Sequence, residues 1–218
     1  MKTLIATIVC TLITLSTLSQ IRIKPNEYGD KFSEVYNASS ITYYGMDFSQ
    51  FILYNGSKVG SEGIVVGYIP AWIGRYGRLV EMELVKRLSK EFKKSVEPRV
   101  NEVQNRYKLL EEPWISYTSE GLRTEHIATT LKSYELKEKE GVGLVVIVDQ
   151  FDKKEEKSFV DYVFFDIDTR VVLWGLQIYG NTFGVGMTNR WSNSLISTYY
   201  RFDMSIDDKI KKEKKKNK

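Results

Sequence analysis

Residues 143–179 read GLVVIVDQFDKKEEKSFVDYVFFDIDTRVVLWGLQIY, and this stretch decides the fold. Its first part, Leu144–Val148, is a continuous apolar run of the kind that is buried on both faces of a sheet. A charged turn at 152–157 leads into an alternating stretch at 158–166, and a second turn leads into another apolar stretch at 171–179. The pattern predicts three strands in a meander, with the first strand at the centre of the sheet.

Strands and helices alternate before the meander. Ile41–Phe48 is β-branched and aromatic, which predicts a first strand. Apolar residues recur at three- and four-residue steps over 85–96, and this spacing predicts an amphipathic helix that covers the sheet. Similar steps over 100–110 predict that a helix resumes after Pro98, with the proline in its first turn. The glycine- and aromatic-rich stretch 54–77 is predicted to be a long connection that holds at most a short strand.

The remaining signals complete the order of elements. Residues 113–117 predict a short strand, residues 124–136 predict a helix, and Thr188 or Asn189 caps a last helix after the meander. The predicted fold class is therefore α+β, with a mixed sheet of about five strands and with helices packed mainly on one face. The predicted order is strand-helix-strand-helix-strand-strand-strand-helix.

The N-terminus has the pattern of a cleavable signal peptide. Lys2 precedes an apolar run from Leu4 to Leu18, and small residues favour cleavage after about Ser19. The run is too short and too rich in threonine for a membrane span, so we expect an exported protein, periplasmic or extracellular, without a transmembrane anchor. The only cysteine, Cys10, would leave with this segment. A cysteine-free mature chain excludes disulfides, cysteine nucleophiles and thiolate metal sites.

Basic charge is concentrated at the C-terminal end. Residues 209–218 hold seven lysines and one glutamate, whereas the chain without this stretch and Lys2 has 24 basic and 27 acidic residues. An acidic body disfavours nucleic acid as a partner, and the tail is too poor in apolar residues to order itself. We interpret it as a solubilising end, with contact to an anionic membrane as the alternative. The predicted organisation is a signal peptide (1–19), an irregular leading segment (20–40), a single α+β domain (41–205) and a disordered basic tail (206–218).

Four short stretches carry a resemblance to known proteins: Tyr44–Ser49, Gly141–Val148, Phe165–Arg170 and Asn189–Trp191. In these stretches the chain resembles uncharacterised secreted proteins of the Bacteroidota, and the likeness covers Ser40–Phe202. The resemblance implies an exported protein with this fold and supplies no catalytic residues. The strand order is also similar to that of the small α/β domains of periplasmic envelope-assembly proteins, such as the curli-secretion lipoproteins, and topology alone does not imply function.

A glycine-rich loop between the last strand and the last helix is a candidate ligand site. Gly184 and Gly186 leave backbone amides accessible beside the start of the helix, where Asn189 follows and Arg190 would supply the counter-charge for an anion. The loop lacks the ending of a P-loop and the full dinucleotide pattern, and the same glycines suit a tight turn. A structural turn is the favoured interpretation, and anion or ligand binding is the alternative.

Two further pairs of residues are tentative binding groups. Asp47 and Ser49 lie at the end of the first strand, where α/β proteins place ligand groups, although a turn or capping role is favoured. Trp72 and Tyr76 belong to the aromatic-rich stretch, and exposed aromatic side chains bury area against a protein partner or a sugar face. The alternative is that these two rings cover the edge of the core.

The sequence contains no recognisable catalytic motif. His126 is the only histidine and no Gly-x-Ser-x-Gly motif occurs, which excludes multi-histidine metal sites and a nucleophile elbow. Acidic residues at the hairpins favour turn formation over cation binding, and no metal or cofactor is expected. We therefore expect a non-catalytic envelope binding or assembly domain, with an envelope protein or a glycan as partner. The alternative is a periplasmic hydrolase that uses paired carboxylates.

Overall fold

One mixed β-sheet organises the protein. The computed structural model describes residues 26–54, 63–110, 115–116 and 124–216. Within these ranges the strands are β1 (Asn26–Tyr28), β2 (Ser40–Asp47), β3 (Ile52–Tyr54), β4 (Ser95–Pro98), β5 (Ile115–Ser116), β6 (Val142–Asp152), β7 (Lys157–Asp166) and β8 (Val172–Asn181). The sheet order is β1-β8-β7-β6-β2-β4, and β3 pairs with both β6 and β5. The predicted α+β class with a mixed sheet is confirmed, and the predicted signal peptide lies outside the described residues.

The predicted meander forms the centre of the sheet. β6 pairs antiparallel with β7, and β7 with β8, whereas β2 and β3 pair with β6 in the parallel sense. All eleven residues of β6 are buried, as its continuous apolar run predicts. Val146 and Val148 point into the core on one face, and Val145 and Ile147 point into the core on the other. β6 therefore belongs to both apolar layers.

Helices cover both faces of the sheet, and most of them pack on one. They are α1 (Phe32–Asn37), α2 (Ile69–Tyr76), α3 (Met82–Phe92), α4 (Thr124–Lys132) and α5 (Met187–Lys216), with π-helical turns at Gly63–Tyr68 and Gly77–Glu81 and 3-10 turns at Val100–Glu102 and Gln104–Leu109. α1, α2, α3 and α5 bury side chains against the face that carries Val146, whereas α4 covers the other face. The 3-10 turns pack Val100 and Tyr107 against the first of these clusters, and Val103, between the turns, belongs to the second. No helix in the described ranges combines the length and the apolar character needed to cross a membrane.

The prediction of a long connection over 54–77 is wrong for the part that the structure describes, because that part is helical. Ile64 and Ile69 are five residues apart, which is the step of a π-helical turn, and Trp72 and Tyr76 follow at steps of three and four. All four side chains are buried in the core. This burial outweighs the helix-disfavouring glycines between them.

The leading segment, predicted to be irregular over 20–40, is ordered where it is described. β1 pairs antiparallel with β8, and α1 buries Phe32 and Val35 in the core. A Cβ on Gly175 of β8 would lie 2.4 Å from ring atoms of Tyr28, so this glycine gives the tyrosine ring room to lie across the strand. A three-residue strand and a six-residue helix are too short to leave a periodic pattern in the sequence.

The basic tail, predicted to be disordered from residue 206, is the last part of α5 as far as Lys216. Ile206, Ile210 and Glu213 follow one another at four- and three-residue steps and are buried. The few apolar residues of the tail are therefore enough to order it, because they pack against an existing core and the helix does not have to form alone. Two lysines of this stretch form ion pairs with the rest of the protein: Lys209 with Glu27 and Lys214 with Glu91.

Pro98 ends strand β4 instead of opening a helix. Ser95–Pro98 pair in parallel with Ser40–Tyr43 of β2, and 3-10 turns take the place of the predicted helix over 100–110. These turns approach β2 closely beyond the end of β4. Gly45 has a positive φ of 82°, and a Cβ there would lie 3.0 Å from the side chain of Gln104. Glycine at this position therefore permits both the backbone conformation and the close approach.

Candidate functional site

Asp47, the last residue of β2, is a fully buried carboxylate. Its Oδ1 accepts a 2.7 Å hydrogen bond from the backbone N–H of Ser49, which closes the turn after the strand. Its Oδ2 accepts a 2.7 Å hydrogen bond from the hydroxyl of Tyr134 and lies 3.5 Å from Nε of Arg106. Ser49 is also buried. The hydrogen bond from Ser49 supports the turn role. The other two contacts join β2 to the second 3-10 turn and to the segment that follows α4.

The glycine-rich loop after β8 turns tightly and holds its polar side chains in internal contacts. Gly184 and Gly186 have positive φ angles of 101° and 81°. Arg190 forms an ion pair with Glu156 in the turn between β6 and β7. The side-chain oxygen of Asn189 accepts a hydrogen bond from an arginine of α2, and its amide group donates one to a loop carbonyl. The counter-charge predicted for an anion is thus paired with a carboxylate, and the geometry supports a turn.

Trp72 and Tyr76 are fully buried, so the prediction that they form an exposed aromatic surface is wrong. The ring of Trp72 stacks on Tyr68 at a centroid distance of 5.9 Å and meets Phe151 edge-on at 4.9 Å. Phe151 in turn stacks on Trp191 of α5 at 4.3 Å. These rings fill the space between β6 and the helical layer, which supports the alternative that they cover the edge of the core.

A network of tyrosine hydroxyls lies inside the helical layer, and the sequence analysis does not identify it. The hydroxyls of Tyr76 and Tyr162 are 3.0 Å apart, and that of Tyr162 is 3.1 Å from Oγ1 of Thr198. Burial raises the pKa of Tyr76 and Tyr162, which keeps both hydroxyls protonated as donors. The network links α2, β7 and α5. The sequence could have indicated this network, because each of these three elements carries a hydroxyl-bearing residue among the apolar residues that face the core.

Glu81, at the end of the second π-helical turn, lies at the margin of this network. Its Oε1 accepts a 2.8 Å hydrogen bond from the side-chain amide of Gln104 and a 3.4 Å hydrogen bond from the hydroxyl of Tyr43. Burial raises the pKa of Glu81, and these two hydrogen bonds offset the increase only in part. A carboxyl with a raised pKa beside a π-helical turn is a pattern found at functional sites. Here the two hydrogen-bond donors are the buried Tyr43 of β2 and Gln104 of the second 3-10 turn. These hydrogen bonds join the π-helical turn to β2 and to the 3-10 turn, which indicates a structural role.

Two buried carboxylates on the meander strands belong to Asp149 and Asp161, which are each 1% exposed. Oδ1 of Asp161 accepts a 2.9 Å hydrogen bond from the hydroxyl of Tyr28, and Oδ2 lies 3.5 Å from the amide nitrogen of Gln177. Burial raises the pKa of Asp161 to about 6, and the two hydrogen bonds oppose this increase. Burial raises the pKa of Tyr28, and the two carboxylates add to the increase. The hydrogen bond from Tyr28 ties β1 to β7, and the burial of both carboxylates leaves neither accessible as an acid for hydrolysis.

The other polar residues weighed in the sequence have local roles. Oδ1 of Asp152 accepts hydrogen bonds from the backbone N–H groups of Lys154 and Glu155 at 2.8 and 3.0 Å, so it caps its turn. His126 is exposed on α4. No group of three His, Cys, Asp or Glu side chains among the described residues is placed to hold a metal ion.

Of the large apolar side chains that are exposed in the described part of the chain, four lie on two parallel helical segments, 69–92 and α5. The segments run side by side in the same direction, as three contacts show: Arg75 with Asn193, Arg87 with Asp203, and Glu91 with Lys214. These contacts place Met82 and Tyr200 at the same level. Leu79, Met82, Tyr200 and Met204 are each more than half exposed. We call these four side chains the helical strip.

The fold and these sites define an α+β protein with a mixed sheet, one main helical layer and no assembled catalytic group among the described residues. No protein-family model and no curated protein matches the sequence. Among solved structures, the chain is similar to the PelC dodecamer from Paraburkholderia phytofirmans, with a TM-score of 0.32 and 7% identity over 81% of this chain and 93% of that chain. A point variant of that dodecamer gives a TM-score of 0.30 and 8% identity over 81% of this chain and 95% of that chain. A likeness at these TM-scores carries no argument about function, and the resemblance to secreted Bacteroidota proteins stays a prediction.

Proposed function

We propose that the protein is an exported, non-catalytic binding or assembly domain of the cell envelope. The observation that carries the proposal is the helical strip. Large apolar side chains grouped on the outside of a folded protein, with charged residues around them, are typical of a protein interaction site. The carboxylates and the aromatic residues that could have served catalysis or sugar binding are instead buried in the core.

The chemistry of the helical strip fits the surface of another protein. Methionine and tyrosine are enriched at the centres of protein interfaces, and methionine adapts its shape to the opposing surface. Exposed charges border the strip, including Lys86 on α3 and Asp208 on α5, and such a rim is the usual surround of an apolar interface centre. Tyr200 supplies the strip with a single aromatic ring. Sugar faces are instead bound by aromatic platforms, and Trp72, the candidate for one, is in the core.

The envelope location in this proposal rests on the predicted signal peptide and on the cysteine-free chain that its removal leaves. An exported chain without thiols suits an oxidising compartment, because it offers nothing to oxidise there. We retain the organisation of residues 41–205 as a single domain as part of the proposal. α1 and the end of α5 extend that domain, since both bury side chains in its core.

Site-specific photo-crosslinking in the exporting host tests the proposal. A photoreactive residue replaces Met82 or Tyr200 in the strip, or Glu155 as the matched control, because Glu155 is exposed in the turn between β6 and β7. We expect adducts from positions 82 and 200 in the envelope fraction and none from position 155. The combined variant M82E/Y200E should no longer co-purify with the partner. Its unfolding transition should be unchanged, because both side chains are exposed.

Each outcome of this experiment decides between interpretations. An adduct with a different envelope protein supports a binding domain, and an adduct of two copies of this chain supports an assembly domain. Recovery of the mature protein alone from the medium, without adducts from the strip, would overturn the proposal. Equal adduct formation from position 155 would show non-specific contact and would overturn it as well.

A further inference from the structure

The last turns of α5 form a basic surface that is held in place by the fold. Their inner side carries the buried Ile210 and Glu213. Their outer side carries only exposed lysines: Lys211, Lys212, Lys215 and Lys216. The positive charge of this stretch is therefore presented on ordered backbone, with a fixed direction relative to the sheet.

The end of α3 lies beside these turns and adds to the same surface. Lys214 of α5 approaches Glu91 of α3, with Nζ and Oε2 3.7 Å apart, which joins the two helix ends. Lys90 and Lys93 are exposed at this end of α3. We call the set of six exposed lysines the basic end: Lys90, Lys93, Lys211, Lys212, Lys215 and Lys216.

Internal carboxylates neutralise little of this charge. Within the described part of the chain, Lys90, Lys93, Lys212 and Lys215 form no ion pair, and Lys212 has only a longer-range attraction to Glu27. The other two lysines pair only with acids of their own helix: Lys211 with the exposed Asp208 at 3.8 Å, and Lys216 with the buried Glu213 at 3.1 Å. Both lysines are themselves exposed, and ion pairs of exposed lysines contribute little. The basic end is thus a local positive field on a protein whose remaining charge is slightly negative.

The spacing of the lysines works against helix stability. Lys211 and Lys215, and likewise Lys212 and Lys216, are four residues apart, and like charges at this spacing repel each other on a helix. A cation in the last turn does complement the helix dipole, but the effect is confined to that turn and does not need four adjacent lysines. An anionic partner would offset the repulsion between these lysines, and this would explain why they are grouped at the end of α5.

We propose that the basic end binds the surface of an anionic phospholipid membrane, with α5 approaching the headgroups by its C-terminal turns. Clusters of lysine attract such a surface through its phosphate charge, without a specific pocket. The partner is a lipid surface in preference to nucleic acid because residues 203–216 contain no aromatic side chain to stack on bases. The inference goes beyond the proposed function and does not use the helical strip.

Vesicle co-sedimentation of the mature protein purified from its host tests the inference. Vesicles of phosphatidylglycerol and phosphatidylcholine are compared with vesicles of phosphatidylcholine alone. The test variant replaces four lysines of the basic end: K211Q/K212Q/K215Q/K216Q. The control variant changes the charge equally at four exposed lysines elsewhere: K108Q/K132Q/K137Q/K154Q. Glutamine keeps the helix propensity of lysine, and urea unfolding of both variants verifies that they fold.

We expect binding to the anionic vesicles only, weakened when salt is raised from about 0.05 M to about 0.3 M. The test variant should lose at least about tenfold in binding, and the control variant should lose less than about threefold. Equal binding to both vesicle types, or an equal loss in both variants, would overturn the inference. Tighter binding to a DNA duplex than to the anionic vesicles would identify a nucleic-acid surface and would overturn it too. Loss of vesicle binding leaves the crosslinks from the helical strip intact, so the two proposals fail separately.

Discussion

Replacing Asp161 by asparagine removes the titration of a buried carboxyl while keeping its shape. In the folded protein burial raises the pKa of Asp161 to about 6, compared with 3.8 for an ordinary aspartate. Below the lower value the carboxyl is protonated in both the folded and the unfolded chain. Between the two values the unfolded chain ionises first, so its free energy falls relative to the folded protein. Stability associated with Asp161 is therefore full at low pH and is lost as the pH rises from about 4 to about 6.

The size of this loss follows from the difference between the two pKa values. Each pH unit between them corresponds to about 1.4 kcal/mol, so the ionised carboxyl costs the folded protein about 3 kcal/mol at neutral pH. The uncharged amide introduced by D161N would avoid this cost, and its oxygen could still accept the hydrogen bond from Tyr28. We expect D161N to match the natural protein near pH 4 and to exceed its stability by about 1 to 3 kcal/mol at pH 7.

Urea unfolding at several pH values between 4 and 7, followed by tyrosine and tryptophan fluorescence, measures this difference. Asp166 provides a control of opposite sign. Burial would raise the pKa of Asp166, but hydrogen bonds from the backbone and side chain of Thr169 outweigh it and lower the pKa. Stability from Asp166 is present at neutral pH and is lost as the pH falls, so D166N should be the weaker protein at pH 7. Parallel stability curves for the natural protein and D161N would refute the buried, covered state of Asp161.

Three further substitutions test contacts that hold the fold together, each by urea unfolding. Gly175→Ala places a methyl group where the ring of Tyr28 lies, and the displaced ring should cost about 1 to 3 kcal/mol and release β1; no change in stability would show that the ring lies elsewhere. Tyr134→Phe removes the hydroxyl that donates to the buried Asp47, with an expected cost of about 1 to 3 kcal/mol, and a neutral effect would contradict that hydrogen bond. Arg87→Met leaves three carboxylates of α3 and α5 without their shared cation, so we expect a loss of about 1 kcal/mol that shrinks in high salt, and a salt-independent loss would point to packing.

The strands and the last helix are predictable because their patterns are long. β6 is recognised by an apolar run, and β7 and β8 by runs of ten residues each that are bounded by turn residues. α1 and β1 are missed because they hold too few residues to show a period. The end of α5 is missed for another reason. Two isoleucines, Ile206 and Ile210, are too few to order a free segment, and they stabilise the helix only by packing against a core that composition alone does not reveal.

The helical stretch before α3 is missed because local and tertiary preferences conflict. Glycines favour a loop, while the burial of Trp72 and Tyr76 against β6 favours a helix, and the five-residue step from Ile64 to Ile69 hides the helical period. The same conflict reverses the interpretation of these rings from exposed to buried. The turn role of Asp47 was predictable because it needs only residues close in sequence.

The sites that depend on distant residues were not predictable. Burial raises the pKa of Asp161, and the hydrogen bond from Tyr28, which is far away in the chain, opposes the increase. The basic end arises because α3 and α5 finish side by side, which brings Lys90 and Lys93 to lysines that are more than a hundred positions away. The helical strip likewise combines positions from two segments whose parallel packing the sequence does not specify.

The pairing of β1 with β8 has a consequence for how the chain acquires its structure. β1 is made first among the described strands and β8 last, and the hydrogen bond between Tyr28 and Asp161 spans 133 positions. Contacts between residues so far apart in sequence form slowly, because the entropy cost of closing a long loop comes before any stabilisation from the contact. β1 therefore has no partner strand during synthesis until β8 has emerged, when most of the chain has been made. Until then β1 presents unpaired backbone groups, and this interval is when the chain is most exposed to strand pairing with other molecules.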